Sequence, residues 1–435
     1  MKLNYPALNQ FMHQIRLKGF FHLLSANVLI QLVGFASQLF VAGILVPDDL
    51  ARIKIIQTYL AIFSIFAGMG LNTSTLKICS EGGRTEHENR RYFNTAFFYT
   101  LISSVAVYGI LLIFNYYKLI SSDNLIRILL PMGLFPLISN SLFMVLMAYF
   151  QAGKNIRLFS TLTIINKLLS IGGIILLTWM MGIRGYYIAY NLSFIVMVAA
   201  AMLVSGNLFT TGLLKPEKQL LQHHRKFSRS SVFSNIAAEA SAYIDIVLLS
   251  FFSKDLQELG YYSFALTLTI ALRIFPSTVQ QITLPYFSEK SKNKTGFLKL
   301  FRRYNSILTG VVALSFIAFS VLIPPVLELI FGTKYAPSVP YLYVLGLGWS
   351  IRSLVQLRSS ALFGLGKIEY NGYTSLITLG INIVIFPLMI HFQGMMGAAY
   401  ATILSGIIIN ISAMYFFRKA IHTARWEEFN DAESG

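Results

Sequence analysis

The sequence predicts an all-α integral membrane protein, with about twelve transmembrane helices in two parallel six-helix halves around a central cavity. Three observations predict this fold class. Of the 435 residues, 55% are apolar or aromatic and only 12% are charged, which is about half the charged share of a soluble domain. Apolar runs of about 20 residues, long enough to cross a bilayer, recur along the chain. Several short motifs also return in the same order in the second half of the chain.

Twelve apolar runs are long enough to span a membrane, and the connections between them are too short for a large domain outside it. The first run is too long for the core of a cleaved signal peptide, so it is predicted to be the first span. The predicted spans cover residues 20–46, 53–75, 93–115, 125–150, 158–181, 185–206, 230–252, 259–285, 304–330, 340–363, 371–391 and 395–417.

Lys and Arg are unevenly distributed between the two sides that these spans define. If the N-terminus is cytoplasmic, the inside segments carry 24 of them and the outside segments carry 6. Because positive residues concentrate on the cytoplasmic side of membrane proteins, both termini are predicted to be cytoplasmic. The same bias explains most of the net charge of +17, so this charge does not indicate a nucleic-acid partner.

An internal repeat divides the chain. The pairs are "VPDDLARIK" (46–54) with "SKDLQELG" (253–260), "FQAGKNI" (150–156) with "FGLGKIE" (363–369), and "MGIRGYYIAY" (181–190) with "QGMMGAAYAT" (393–402), at offsets of 206, 213 and 212 residues. Six spans per half give both halves the same orientation, an arrangement that places a substrate path between them. The predicted units are an N-terminal half (1–209), a basic linker with solvated His223 and His224 (210–229), a C-terminal half (230–417) and a cytoplasmic tail (418–435).

Polar residues recur at equivalent positions of the two halves. Asn27 and Gln31 lie one turn apart on span 1, and Asn235 and Glu239 lie one turn apart on span 7. A shared central cavity explains this similarity. Hydrogen bonds between helices, which polar residues commonly make in membranes, are the alternative.

Several charged residues fall inside the predicted spans. Lys167, Arg273 and Arg352 lie near the membrane midplane, where each cation costs roughly 2.5–3.5 kcal/mol unless it faces water, a partner or a substrate. Arg358 lies nearer the cytoplasm, where it either faces the cavity or extends toward the interface. Gln356 shares the helical face of Arg352.

Two acids lie in the apolar run of span 7. Glu239 and Asp245 are six residues apart, so they point about 120° away from each other and do not form one paired site. Each either faces the cavity or pairs with Arg273 or Lys167. Four cations against two acids give the predicted cavity a positive bias, which suits a phosphate or carboxylate substrate.

The sequence shows no recognisable catalytic or metal-binding pattern. The seven histidines lack metal-ligand spacing, the single Cys79 excludes an intramolecular disulfide, and no nucleophile–base set is recognisable. We therefore predict a protein that is not an enzyme, without a metal or other cofactor.

The segments "LVPDDLARIKIIQTYLAIFSIFAGMGLNTSTLK" (45–77), "YIDIVLLSFFSKDLQELGYYSFA" (243–265) and "QQITLPYFSEKS" (280–291), together with the twelve spans, resemble the O-antigen flippases. These are Wzx-type translocases of the polysaccharide transporter family, in the superfamily of the multidrug and toxin extruders. The resemblance covers essentially the whole chain, but its motifs are loose patterns that fix the family better than the substrate.

The resemblance implies a V-shaped bundle that opens alternately to the two sides of a bacterial inner membrane. It implies transfer of an undecaprenyl-diphosphate-linked repeat unit to the periplasmic leaflet, by ion-coupled exchange with H⁺ or Na⁺. The expected partners are this lipid-linked oligosaccharide, membrane lipid and polysaccharide assembly proteins. In this hypothesis Arg273, Arg352 and Lys167 attract the diphosphate, and Glu239 or Asp245 changes protonation. Four polar residues, Asn27, Gln31, Asn235 and Gln356, then bind the glycan.

Three other functions remain as alternatives. A drug or cation antiporter of the same superfamily is expected to have an acidic or aromatic cavity, which the intramembrane cations disfavour. A major-facilitator-type sugar symporter shares the six-plus-six layout, but its usual signature between spans 2 and 3 is not evident in "KICSEGGRTEHENRR" (77–91). A membrane glycosyltransferase or polymerase usually needs larger outer loops than these.

Overall fold

The computed structural model describes residues 33–81, 84–205, 217–252, 255–424 and 426. Within these ranges the chain forms α-helices, one short 3₁₀ turn at Ala336–Ser338 and no strand. The helices are α1 (Val33–Ile44), α2 (Pro47–Gly68), α3 (Leu71–Ser80), α4 (Glu86–Tyr116), α5 (Asn124–Leu134), α6 (Pro136–Ala152), α7 (Ile156–Val204), α8 (Lys218–Phe252), α9 (Leu256–Leu268), α10 (Ile270–Glu289), α11 (Lys294–Phe331), α12 (Val339–Ser353), α13 (Val355–Gly364) and α14 (Glu369–Thr423).

The helices confirm the predicted fold class, an all-α membrane protein. Eight helical segments of the described chain are long and apolar enough to cross a membrane. Two of them, α7 with 49 residues and α14 with 55, would be roughly 73 and 82 Å long if straight, at 1.5 Å per residue. That is more than twice the thickness of a hydrocarbon core, so each must supply two crossings.

A glycine interrupts each of these two long helices. Gly182 has φ 59° and ψ −143°, and Gly394 has φ 55° and ψ −138°, a backbone conformation that side chains other than glycine rarely adopt. Three residues later, Gly185 and Gly397 pack so closely on the carbonyls of Leu177 and Met389 that a Cβ atom would overlap them. The chain therefore makes the same sharp break twice, 212 residues apart.

The order of the helices repeats as well. After α1 come a split helix (α2 and α3), a long helix (α4), a second split helix (α5 and α6) and the glycine-interrupted α7. The same four kinds of helix follow α8 in the same order: α9 and α10, α11, α12 and α13, and α14. We call these two runs the first and the second series. Both second split helices end in a left-handed residue, Lys154 (φ 58°) and Gly366 (φ 71°), which is a common way to end a helix. Their spacing is 212 residues, one fewer than the offset obtained by matching "FQAGKNI" to "FGLGKIE".

The two series meet at a contact that we call the seam. At the start of α9, Gly260 packs directly on the carbonyl of Pro47, at the start of α2. Nearby, the Lys334 ammonium donates to the carbonyls of Ala42, Gly43 and Leu45 at 3.0, 3.1 and 2.7 Å, and the Tyr335 hydroxyl donates to Ala42 at 2.8 Å. A cation at a helix C-terminus satisfies carbonyls that lack helical partners, so Lys334 fastens the end of α1 to the second series.

Helix α8 begins well before its membrane-spanning part, which covers Asn235–Phe252. Residues 218–229, predicted to be part of a solvated linker, form its first turns and pack on α3 and α4. His224, predicted to be exposed, is completely buried. Its ring contacts the Ser74 hydroxyl at 2.8 Å and the Tyr92 carbonyl at 3.2 Å. The prediction of a solvated histidine pair was therefore wrong for His224.

Candidate functional site

Five ionisable side chains come together inside the bundle, where α2, α8, α10 and α12 approach one another. They are three cations and two acids, all close enough to interact electrostatically with at least two of the others: Lys54, Glu239, Asp245, Arg273 and Arg352. We call this set the central cluster. Its formal charge is three minus two, or +1, when all five are ionised.

Two guanidinium groups of the cluster lie against one indole ring. The Arg273 guanidinium is 4.6 Å and the Arg352 guanidinium 5.2 Å from the ring centroid of Trp349. Such contacts attract a cation to the ring, so Trp349 holds two like charges close together. Trp349 is only 8% exposed, and its indole nitrogen has no hydrogen-bond partner among the described residues.

The two acids have different surroundings. Asp245 is 4% exposed and accepts hydrogen bonds of 2.8 Å from the Tyr262 hydroxyl and from the Ile246 backbone. Glu239 is only half-buried and interacts with Arg273 and Arg352 at longer range. In the described part of the chain, neither acid comes within 4 Å of a cation of the cluster. The predicted alternative of a direct ion pair with Arg273 or Lys167 is thus not what the structure shows.

Two serine hydroxyls hold Arg352 in place. Arg352 donates to the hydroxyls of Ser405 at 3.3 Å and Ser241 at 3.5 Å. Asn382 donates to the same Ser241 hydroxyl at 3.1 Å. Arg352 is half-buried and Arg273 is exposed. The cluster therefore combines one anchored guanidinium with one that is accessible, and neither has a carboxylate at ion-pair distance. An anion with several oxygens is the ligand that two such groups bind best.

The remaining predicted site residues lie apart from the cluster or outside the described part. Lys167 is exposed on α7. Arg358 is half-buried and donates to Asn410 at 2.7 Å. Gln356 is half-buried, and its side-chain oxygen has no hydrogen-bond partner in the described part of the chain. Asn235 lines a separate cavity of about 180 Å³ between α2, α3, α6 and α8. Asn27 and Gln31 lie outside the described residues.

Sequence analysis missed one member of the cluster. Lys54 falls at the start of predicted span 2 (53–75) and was counted with the outside cations, but α2 begins at Pro47, so Lys54 lies two turns inside the helix. Proline at the first position of a helix is a recognised start signal, and it was present in "VPDDLARIK". As for metals, the described residues contain no group of three His, Cys, Asp or Glu side chains that could hold an ion.

The chain matches the family described as "polysaccharide biosynthesis protein" over residues 16–291, more than half of its length. No curated protein matches it significantly in sequence.

Among solved structures, the lipid II flippase MurJ in an inward closed conformation is 16% identical, with a TM-score of 0.74 over 92% of this chain and 89% of that one. An inward-facing multidrug resistance MATE family transporter of the MOP superfamily is 13% identical, with a TM-score of 0.69 over 90% of this chain and 94% of that one. A MOP superfamily transporter from Pyrococcus furiosus, whose binding pocket is described as having reverse polarity, is 13% identical, with a TM-score of 0.57 over 92% of this chain and 95% of that one. At these identities the likeness shows the fold alone.

Proposed function

This chain belongs to the polysaccharide biosynthesis protein family, and on that premise we propose that it is a flippase for lipid-linked polysaccharide repeat units. Its proposed cargo is an undecaprenyl-diphosphate-linked oligosaccharide of the O-antigen type, moved from the cytoplasmic to the periplasmic leaflet of a bacterial inner membrane. One observation carries the proposal: Arg273 and Arg352 lie on the same indole ring inside a membrane bundle, without a carboxylate within 4 Å.

The cluster would bind the diphosphate by its charge and geometry. Each guanidinium offers a planar set of donors that matches two phosphate oxygens. A diphosphate would offset the mutual repulsion of Arg273 and Arg352, which the two acids offset only at longer range. The glycan would extend from this point into the space between the halves, while the polyprenyl chain stays in lipid.

Ion coupling would follow from competition between the cargo and a carboxylate of the protein for the same two arginines. The Glu239 carboxylate is the half-buried anion that interacts with Arg273 and Arg352. A bound diphosphate would compete with this carboxylate for Arg273 and Arg352, so cargo binding and the state of Glu239 would be linked. Asp245, held by Tyr262, is the second candidate. Either H⁺ or Na⁺ is compatible with this linkage.

The proposed orientation, with both termini cytoplasmic, puts the seam at the periplasmic end of the bundle. The protein would then be closed toward the periplasm and ready to load substrate from the cytoplasmic side. Outward release would require the seam to part. Polysaccharide assembly proteins would act before and after this step.

The drug antiporter is the main alternative, because transporters of the MATE family share this fold. A cationic drug would have to enter a cluster whose formal charge is already +1. The excess of cations over acids therefore favours an anionic cargo.

The test uses proteoliposomes that contain a polyprenyl-diphosphate oligosaccharide labelled on its glycan, with an impermeant quencher on one side. We expect protein-dependent crossing of the label, reduced at least tenfold in Arg352→Gln, since a hydrogen bond to a charged group contributes about 1.5–3 kcal/mol. Arg184→Gln is the matched control, because Arg184 is exposed on α7 and lies outside the cluster. Full activity of a correctly inserted Arg352→Gln variant would refute the role of the cluster, and uptake of organic cations without glycan crossing would favour the antiporter.

A further inference from the structure

A cavity of about 960 Å³ lies between α2, α4 and the first half of α8. It is distinct from the central cluster, whose members do not line it. We call it the basic groove, because Arg225, Lys226 and Arg229 line it. No acidic side chain is among its lining residues, and in the described part of the chain no carboxylate lies within 4 Å of these three cations.

The groove is divided into a charged end and an apolar end. Its three cations lie on the part of α8 that precedes the spanning segment, whereas Val232, Phe233 and Ile236 continue the same helical face toward that segment. From Arg225 to Ile236 the helix rises roughly 16 Å at 1.5 Å per residue. Phe66 and Val107 form part of the opposite wall. The groove is therefore built for a molecule with an anionic head and an apolar tail.

The charged end is held in place by the other face of α8. Leu221 and His224 are buried, and Gln222, Arg225 and Arg229 lie on the face toward the groove. The contacts of His224 with Ser74 and Tyr92 tie this part of α8 to the first series of helices. The cations are thus presented by an anchored helix rather than by a free loop.

We propose that the basic groove is a loading site for the diphosphate end and first isoprene units of a polyprenyl-diphosphate lipid, before the lipid reaches the central cluster. This inference rests on the proposed function. Phosphate oxygens match the three cations, and isoprene units match the apolar wall formed by Phe66, Val107, Phe233 and Ile236. Bulk anionic phospholipid shares this chemistry, so the experiment has to separate the two lipids.

The test places a photo-crosslinking amino acid at Ile236 in the full-length protein in nanodiscs and adds radiolabelled polyprenyl diphosphate. The same amino acid at Phe252, exposed at the far end of α8, is the position control. We expect crosslinking at residue 236 and not at residue 252. The triple variant R225Q/K226Q/R229Q should need at least about tenfold more lipid for half-maximal crosslinking, since each basic residue near a lipid surface contributes about fivefold to binding.

A second triple variant, K299Q/R302Q/R303Q, removes the same charge from exposed positions on α11 that are predicted to face the cytoplasm, and it should bind like the unchanged protein. Equal loss in both triple variants would overturn the proposal, and so would equal competition by phosphatidylglycerol or crosslinking of residue 236 to the chain's own segment 1–32. If the groove variant crosslinks and transports normally, the loading site is wrong and the flippase function stands. If the unchanged protein crosslinks the lipid but moves no glycan, the site stands and the proposed function fails.

Discussion

The ammonium of Lys334 gives the sharpest prediction, because it makes three of the hydrogen bonds across the seam. Lys334→Met keeps most of the apolar stem but removes three donated hydrogen bonds, at 2.7–3.1 Å, from the carbonyls at the end of α1. A cation in such a partly buried position at a helix C-terminus contributes about 1–2 kcal/mol. The side chain is half-buried, so we take no larger value. Since 1.4 kcal/mol is a factor of ten, the open-seam population should rise about five- to thirtyfold.

The assay is a spin-label distance measurement across the seam. Labels at Ile128→Cys on α5 and Leu329→Cys on α11 use exposed positions, 63% and 87% accessible, and the native Cys79, which is buried, is replaced by Ala. We expect a longer-distance component to grow in Lys334→Met. Lys118→Met is the control, because Lys118 is an exposed lysine predicted to lie on the same side of the membrane.

An unchanged distance distribution in Lys334→Met would refute the reasoning. It would mean that the contact of Gly260 with Pro47 and the hydrogen bonds of Tyr335 hold the seam closed without help from the ammonium. An equal change in Lys118→Met would show that loss of charge, rather than loss of the helix contact, moves the equilibrium.

Two further predictions concern the helices around the site. Burial lowers the pKa of His224 to about 4. The packing of its helix on α3 and α4 is therefore most stable above about pH 6.5 and weakens as the pH falls from there toward 4. Hydrogen exchange over residues 218–228, corrected for intrinsic rates, should be faster at pH 5 than at pH 7, and equal protection at the two pH values would contradict this prediction. Gly397→Ala should destabilise the protein by about 1–3 kcal/mol in a detergent melting experiment, because its Cβ overlaps a backbone carbonyl. Gly380→Ala on the same helix is the control, since its Cβ meets nothing within 4 Å, and a similar loss of stability in both variants would show that the tight contact is not the cause.

Hydropathy and repeat matching predicted the fold class because both depend on local sequence. Runs of apolar residues locate the spans, and "MGIRGYYIAY" with "QGMMGAAYAT" located the two breaks at Gly182 and Gly394. The first turns of α8 were not predicted to be helical because hydropathy reports what lies in lipid, not where a helix begins. The burial of His224 depends on Ser74 and Tyr92, which are 150 and 132 residues away in sequence.

The site was predictable only in part, because a sequence pattern gives the depth of a residue in the membrane more reliably than the direction in which its side chain points. Arg273, Arg352 and Glu239 were predicted to be near one another in depth, and the structure brings them together. Lys167 was predicted at a similar depth, but α7 is apolar around most of its circumference, so its sequence does not show which face meets the neighbouring helices. Lys54 was missed because it falls at the very start of the predicted span, whereas its helix begins six residues earlier, at Pro47.

Helix α8 joins the two series of helices in a way that has a mechanical consequence. Its first turns pack on the first series through His224, and further along the helix its Ser241 contacts Asn382 of α14. The stretch between them, "SRSSVFSN" (228–235), contains four serines, a residue at which helices often bend. A rotation of one series against the other would therefore bend α8 within this stretch. Glu239 lies beyond this stretch and two residues before Ser241, which contacts Arg352, so Glu239 moves with the arginines of the second series and the same rotation displaces all three relative to Lys54 on α2.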